Sequence, residues 1–279
     1  LVGESGSGKS VTAHSIMQLL PYETAQHSAR SSITFDGDEL IGANDRFMRR
    51  LRGRRIGMIF QEPLTALNPL HKLHKQICEA LMLHQGLSRE EARARIPELL
   101  EMVGLGQLKD RLDAYPHELS GGQRQRVMIA MAIANSPDLL IADEPTTALD
   151  VTVQAQILEL LQDLKDRLNM ALLLITHDLT VVEKMADDVC VMKDGRIVET
   201  KPAEALFANP EHAYTKMLLA AQPSGAAVPV QGDAAPLLQA RNLSVQFPKG
   251  KSLLGKPRAW LSAVDHVDLN CLQGQTLGV

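Results

Sequence analysis

The chain has 279 residues, 45% of them hydrophobic, and a formal net charge of −4. That is enough apolar material for one large or two small cores, and it excludes the overall basic field that draws a protein to nucleic acid. Its three cysteines, Cys78, Cys190 and Cys271, lie far apart, which excludes a C-x-x-C metal or redox pair and suits a reducing compartment; no apolar run approaches the roughly 20 residues needed to span a bilayer.

Gly3-Glu4-Ser5-Gly6-Ser7-Gly8-Lys9-Ser10 is a complete G-x-x-x-x-G-K-S phosphate loop. The glycines let backbone N–H groups around Ser5 to Ser10 close around phosphate oxygens. Lys9 reaches the β- and γ-phosphates, and the Ser10 hydroxyl suits Mg²⁺. Val11 to Leu20 reads as a helix whose positive end faces the anion. Arg46, Arg49, Arg50, Arg52, Arg54 and Arg55 form a basic run, read as a solvated helix face. Residues 71–135 read as a mostly helical insertion. Ser88 and Glu91 form a capping box that opens a helix through Met102, which Pro97 is expected to bend or interrupt. His71 and His74 have a metal-compatible spacing without an evident third ligand and are read as surface residues. Met128 and Met131 lie in an Ala/Ile-rich helix and are read as core.

Leu139-Leu140-Ile141-Ala142-Asp143-Glu144 is an apolar run ending in two carboxylates, and Ala171 to Thr176 is a second such run, ending at His177. Both suit strands buried on both faces of a parallel sheet. Between them, Val153, Ile157, Leu160, Leu161, Leu164 and Leu168 recur at helical spacing. Strand, helix, strand predicts a right-handed parallel crossover and places Asp143, Glu144 and His177 at carboxyl ends of strands, where open α/β sheets bind ligands. Residues 222–236 are Pro/Gly/Ala-rich and read as a linker. Leu237 to Phe247 alternates like a strand, and a further apolar segment runs from Trp260 to Leu272.

A phosphate loop alone selects no pathway, but Leu119-Ser120-Gly121-Gly122-Gln123 resembles the signature motif of ATP-binding cassette proteins. Gln61 in Met58-Ile59-Phe60-Gln61-Glu62-Pro63 resembles the Q-loop glutamine, Asp143-Glu144 the Walker B aspartate and catalytic glutamate, Ala148-Leu149-Asp150 the D-loop, and His177 the switch histidine. Phe60 to His71, Tyr115 to Gly122 and Asn209-Pro210-Glu211-His212-Ala213-Tyr214-Thr215 resemble the peptide/nickel importer ATPases, and among these most the tandem-cassette ATPases of microcin C and peptide importers.

The resemblance implies an α/β fold, a P-loop NTPase cassette with a parallel-sheet core, an inserted helical subdomain (about 71–135) and an antiparallel β-region. It implies a first nucleotide-binding domain over 1–221 lacking its N-terminal β-region, a linker over 222–236, and over 237–279 the β-region of a second cassette, cut before its phosphate loop. In that second region Phe247 would be the adenine-stacking aromatic, for the second cassette's nucleotide. Residues 237–279 are also expected to fold back and complete residues 1–221, with Val279 beside Leu1.

For chemistry, the resemblance implies ATP as substrate, held by Gly3, Ser5, Gly6, Ser7, Gly8, Lys9, Ser10 and Val11. It implies Mg²⁺ held by Ser10 and Gln61, with Asp143 acting through water. Glu144 would be the general base, and His177 would contact the γ-phosphate. Ser120, Gly121, Gly122 and Gln123 would act on ATP bound to a different cassette. The implied role is energy coupling for import of peptides or peptide-like compounds of microcin C, oligopeptide, glutathione or similar type, in a family whose importers also carry nickel. The implied place is peripheral, on the cytoplasmic face of the bacterial inner membrane. The implied partners are membrane permease subunits, a second cassette and, indirectly, a periplasmic or extracellular substrate-binding protein, with no nucleic acid. The alternative is a soluble non-transport cassette ATPase of DNA-repair or ribosome-associated type. The first usually carries a long coiled coil between phosphate loop and signature, absent here as sustained heptads. The second usually carries a charged helical linker, unlike 222–236. A nucleotide-binding scaffold without hydrolysis is disfavoured by Lys9, Gln61, Asp143, Glu144 and His177 occurring together.

Overall fold

The structure is a computed structural model that describes residues 1–21, 23–61, 66–147, 149–221, 235–251 and 257–278. The chain divides into two compact units, Leu1–Gln222 and Pro223–Val279.

In the first unit, α1 (Lys9–Ile16) follows the phosphate loop and is followed by the short pair β1 (Thr34–Phe35) and β2 (Asp38–Glu39), α2 (Asp45–Leu51) and β3 (Ile56–Ile59). The helical insertion contains α3 (Leu73–Gln85), α4 (Arg89–Met102), two 3₁₀ turns and α5 (Gly121–Ile133). Then come β4 (Leu139–Asp143), α6 (Val151–Leu168), β5 (Ala171–Ile175), α7 (Leu179–Met185), β6 (Asp188–Lys193), β7 (Arg196–Pro202), α8 (Ala203–Ala208) and α9 (Ala213–Ala220).

Strands β3, β4 and β5 are parallel, with Met58 opposite Ile141 and Ile141 opposite Leu173. Val2 makes parallel bridges to Thr176 on one side and Val191 on the other, so it links this sheet to the antiparallel pair β6–β7. Both apolar runs are strands, but only β4 is buried on both faces, with Leu140 and Ala142 packing into one core and Ile141 into the core on the opposite face; along β5 Ala171 is exposed, Leu172 to Leu174 are half-buried and only Ile175 is fully buried. Four chain segments therefore end at one edge of the sheet, leading into Gly3, Gln61, Asp143-Glu144 and His177.

Helix α1 ends at Ile16, short of the Leu20 expected. Beyond it Gln18 turns to φ 48, and Arg52 donates from Nε to the Met17 carbonyl at 2.8 Å and from Nη2 to the Gln18 carbonyl at 2.7 Å. A helix through Leu20 would leave both carbonyls without an intrahelical partner, the more so because Pro21 has no N–H to give to Met17.

Helix α4 opens on the expected capping box of Ser88 and Glu91, but Pro97 does not interrupt it. Ile96 on one side and Leu99 and Leu100 on the other are buried in the main core, and this packing outweighs the roughly 3 kcal/mol that an interior proline costs. The methionine reading holds: Met128 is buried and Met131 packs against the same cluster. The arginine run falls on α2 and the turn after it, where Arg49 pairs with Asp45 and Arg55 with Asp36 and Asp138. His74 Nδ1 lies 3.0 Å from the Leu112 carbonyl and His71 Nε2 3.1 Å from the Lys75 ammonium. Among the described residues no group of three or more His, Cys, Asp and Glu side chains is placed to hold a metal ion.

The second unit is an antiparallel hairpin of β8 (Pro236–Lys251) and β9 (Pro257–Leu272). Its register shifts at several points, among them between Ala240 and Leu243. Phe247 lies opposite Leu261 and is exposed, as are Leu237, Leu238 and Trp260. The linker residues 222–234, Glu62 to Thr65, Ala148 and Val279 lie outside the described residues.

Candidate active site

The phosphate loop turns through Gly3 at φ 154, Gly6 at φ 82 and Gly8 at φ 102. Gly3 is required by space as well as by conformation, since a Cβ there would sit 2.1 Å from the Met192 carbonyl oxygen. The loop is braced from below: the Ser7 carbonyl accepts from Gly195 N at 3.0 Å, and Ser7 N donates to the Glu4 carbonyl at 3.2 Å. Gly8 takes the N-cap position of α1 with no side chain capping it. The first N–H groups of that helix are thus left to an outside acceptor, the arrangement that binds phosphate.

Lys9 is 5% exposed. Its ammonium donates to the carbonyls of Gly3 at 2.7 Å and Glu4 at 2.9 Å, and lies 3.5 Å from the Ser7 hydroxyl. Burial pushes its pKa down, against the upward pull of Glu144 and Asp143.

Asp143, at the end of β4, is 3% exposed and accepts a hydrogen bond from the Ser10 hydroxyl at 3.0 Å. Burial raises its pKa, while the Ser10 bond, His14 and Lys9 act the other way. A hydroxyl and a desolvated carboxylate side by side form a hard oxygen donor set, which suits Mg²⁺. The charged carboxylate is the form the fold disfavours. For such a raised pKa, stability is fully present below the unfolded value and is lost as pH rises through the folded one. Asp143→Asn should therefore raise the melting temperature of the protein at neutral pH and weaken Mg²⁺-dependent nucleotide binding. A scanning-calorimetry melt no higher than wild type would count against this account of Asp143.

Glu144 lies one residue beyond the strand. Its φ of 45 turns the chain off the sheet, and its N–H still donates to the Ile175 carbonyl at 2.9 Å. Its carboxylate is the hub of the site. Oε2 accepts from Gln61 Nε2 at 3.0 Å and from the Thr147 hydroxyl at 2.9 Å, and Oε1 is 3.4 Å from His177 Nδ1. A cavity of about 230 Å³ opens beside Glu144, Thr147 and His177. The structure thus brings Gln61, Glu144 and His177 together, and Ser10 to Asp143, with Lys9 close enough to feel both carboxylates. Val11 stands on α1 and is exposed.

The signature residues are not part of this cluster. Ser120 is the N-cap of α5, its hydroxyl accepting from Gln123 N at 3.2 Å while Gln123 Oε1 accepts from Ser120 N at 3.1 Å. Gly122 is pressed against α6, where a Cβ would come 2.7 Å from Val153 Cγ1. Asp150 caps α6 by accepting from Val153 N at 2.9 Å. Phe247 belongs to the second unit. Three residues escaped the sequence reading. Thr147 holds the Glu144 carboxylate. Asp178, next to His177, caps α7 and receives a bond from Gln154 at 3.2 Å. Tyr214 accepts from Glu4 N at 3.1 Å. The Asp after His177 was a visible N-cap signal; the other two carry none.

The family profile for ABC transporters matches residues 1–147. The chain belongs to the ABC transporter family. Among ABC transporter proteins it is 56% identical over 281 residues to the peptidoglycan transport ATP-binding protein YejF of Agrobacterium fabrum, covering all of this chain and 51% of that one. It is 52% identical over 224 residues to the oligopeptide transport ATP-binding protein OppD of Bacillus subtilis, covering 80% of this chain and 62% of that one. The chain thus spans about half to two thirds of the length of these relatives. A solved dimeric ATP-binding cassette, MJ0796 in a post-hydrolysis state bound to ADP and Pi, superposes with a TM-score of 0.62 at 31% identity over 72% of this chain and 83% of that one. The P-loop NTPase fold expected from the sequence is the fold of the ABC cassette. No helix among the described residues is long and apolar enough to cross a membrane.

Proposed function

We propose that this chain is part of the ATP-hydrolysing, energy-coupling subunit of an importer for peptides or peptide-like compounds. The observation that carries this reading is the convergence of Gln61, Thr147 and His177 on the Glu144 carboxylate beside the Ser10–Asp143 pair. The names of its relatives, which concern peptidoglycan and oligopeptide transport, support the cargo class.

Phosphoryl transfer to water is governed by positioning and charge more than by covalent chemistry. The loop amides and Lys9 hold the β- and γ-phosphates. Ser10 and Gln61 would hold Mg²⁺, with Asp143 acting through water, and the ion would supply positive charge against the charge developing on the phosphates. Glu144 takes a proton from the attacking water, oriented by its bonds from Gln61 and Thr147, and His177 donates toward the γ-phosphate. Ser120, which is exposed, and Gly121, Gly122 and Gln123, which are half-buried behind it, complete the ATP site of a second cassette, and Asp150 belongs to the same pairing face. Residues 1–221 form the first cassette, 222–236 a linker, and 237–279 the β-region of the second, with Phe247 stacking on that cassette's adenine. The protein sits at the cytoplasmic face of the bacterial inner membrane, bound to permease subunits fed by a substrate-binding protein.

The test is ATP turnover by the full-length protein, alone and with its membrane subunits in liposomes. Stimulation by the membrane subunits and the loaded binding protein is expected. Turnover indifferent to both would return the protein to the non-transport class, and no turnover at all would remove the hydrolytic role.

A further inference from the structure

We infer that Tyr214 is a positioning residue for the phosphate loop, aiming the Gly3 carbonyl at Lys9 by holding the other end of the same peptide unit. The inference rests on the ATP-site reading above. Gly3 C=O and Glu4 N–H belong to one trans peptide and point in opposite directions. The carbonyl accepts from the Lys9 ammonium at 2.7 Å, and the N–H donates to the Tyr214 phenol oxygen at 3.1 Å. Rotation of that peptide would break both bonds together. Gly3, at φ 154, offers no Cβ to resist such rotation, so the restraint must come from outside the loop.

The phenol is itself fixed. Tyr214 is 4% exposed, its ring lies under the Lys193 ammonium, 4.9 Å from the ring centre, and its N–H is capped by His212 Nδ1 at 3.2 Å. The run from Asn209 to His212 is clamped onto β7. Glu199 accepts from Glu211 N at 2.8 Å and His212 N at 3.0 Å. Lys201 bonds the Asn209 carbonyl at 2.9 Å and the Glu211 carboxylate at 2.8 Å. A ring merely filling the core would not need its oxygen on a loop amide 210 residues away in sequence. The segment after β7 therefore acts on the nucleotide through Lys9, without touching it.

The test uses the full chain with ATP and Mg²⁺. Tyr214→Phe keeps the ring beneath Lys193 and removes only the acceptor. The ATP dissociation constant is expected to rise about three- to tenfold, the range for losing one neutral hydrogen bond. Hydrogen exchange at the Glu4 amide should accelerate, while exchange in β4 and β5 stays as in wild type and the melting temperature falls by no more than the few degrees that one lost hydrogen bond accounts for. A merely structural tyrosine would lower the melt further and leave Glu4 no more exposed than its neighbours. Unchanged ATP affinity together with an equally protected Glu4 amide would overturn the inference. If Tyr214→Phe does not fold, Glu199→Gln decides. It loosens the clamp, so weaker ATP binding and faster Glu4 exchange are expected, and no change in either overturns the inference. Wild-type protein that binds no ATP would instead overturn the ATP-site reading itself.

Discussion

Glu144→Gln is expected to lower ATP hydrolysis by about two to four orders of magnitude, the range for loss of a general base, while ATP binding persists. The side chain sits where both outcomes can be separated. Its backbone turn, φ 45 with the N–H on the Ile175 carbonyl, is independent of the side-chain charge. Glutamine has the same length and retains a carbonyl oxygen for the Gln61 and Thr147 donors that now meet at Oε2. What it lacks is an oxygen able to take a proton from water. The loop amides, Lys9 and the Ser10–Asp143 pair are untouched, so binding remains and the chemical step is lost. Turnover at saturating Mg²⁺ and ATP, set beside equilibrium binding in the same preparation, checks the split. The assay uses the full-length protein, because the proposed role of Ser120 and its neighbours, which stand apart from the Glu144 cluster, is on the ATP of a second cassette. Near-normal turnover would take the base role away from Glu144 and leave His177, 3.4 Å away, as the group to examine.

The parts of the site that sequence reveals are those whose cause is local. A run such as Leu139 to Asp143 is apolar without alternation because both its faces are covered, Leu140 and Ala142 by one core and Ile141 by the other. Asp150 and Ser120 cap helices because short polar side chains can reach the free amides two or three residues on. What periodicity misses is set by distant chain. The carbonyls just beyond α1 are taken up by Arg52. The continuity of α4 through Pro97 is decided by the core on which Ile96 and Leu100 pack. The meeting of Ser10 with Asp143, 133 residues apart, and of Gln61 with Glu144, 83 apart, follows from the order of strands in the sheet. It was available beforehand only through resemblance to a family. Tyr214 shows the limit of resemblance as well: the Asn209–Thr215 run marks the peptide/nickel importers, yet nothing in its letters says that its tyrosine reaches the phosphate loop.

Lys9→Met should weaken ATP binding by at least about 100-fold, since charge-assisted hydrogen bonds to phosphate are each worth about 1.5–3 kcal/mol, and yet leave the protein nearly as stable as before. The ammonium is held inside the loop, 5% exposed. Burial is the main cause that lowers its pKa, so at neutral pH the folded state bears a cost for the charge that the unfolded chain does not. That cost falls away as pH rises from the lowered folded value through about 10.4, the ordinary value for lysine. Methionine keeps an unbranched stem of similar reach and removes the charge, which offsets the lost bonds to the Gly3 and Glu4 carbonyls. Arginine would not substitute, because its planar fork is wider than the ammonium that now fits between two carbonyls and the Ser7 hydroxyl. Equilibrium binding of ATP and a thermal melt of the same sample separate the two effects. Affinity within a few-fold of wild type would mean that the phosphates do not lie in the Gly3–Ser10 loop. A melt lowered by more than about 5 °C, well over a kcal/mol for a chain of this size, would mean that Lys9 is chiefly a strut of the loop and only secondarily its charge.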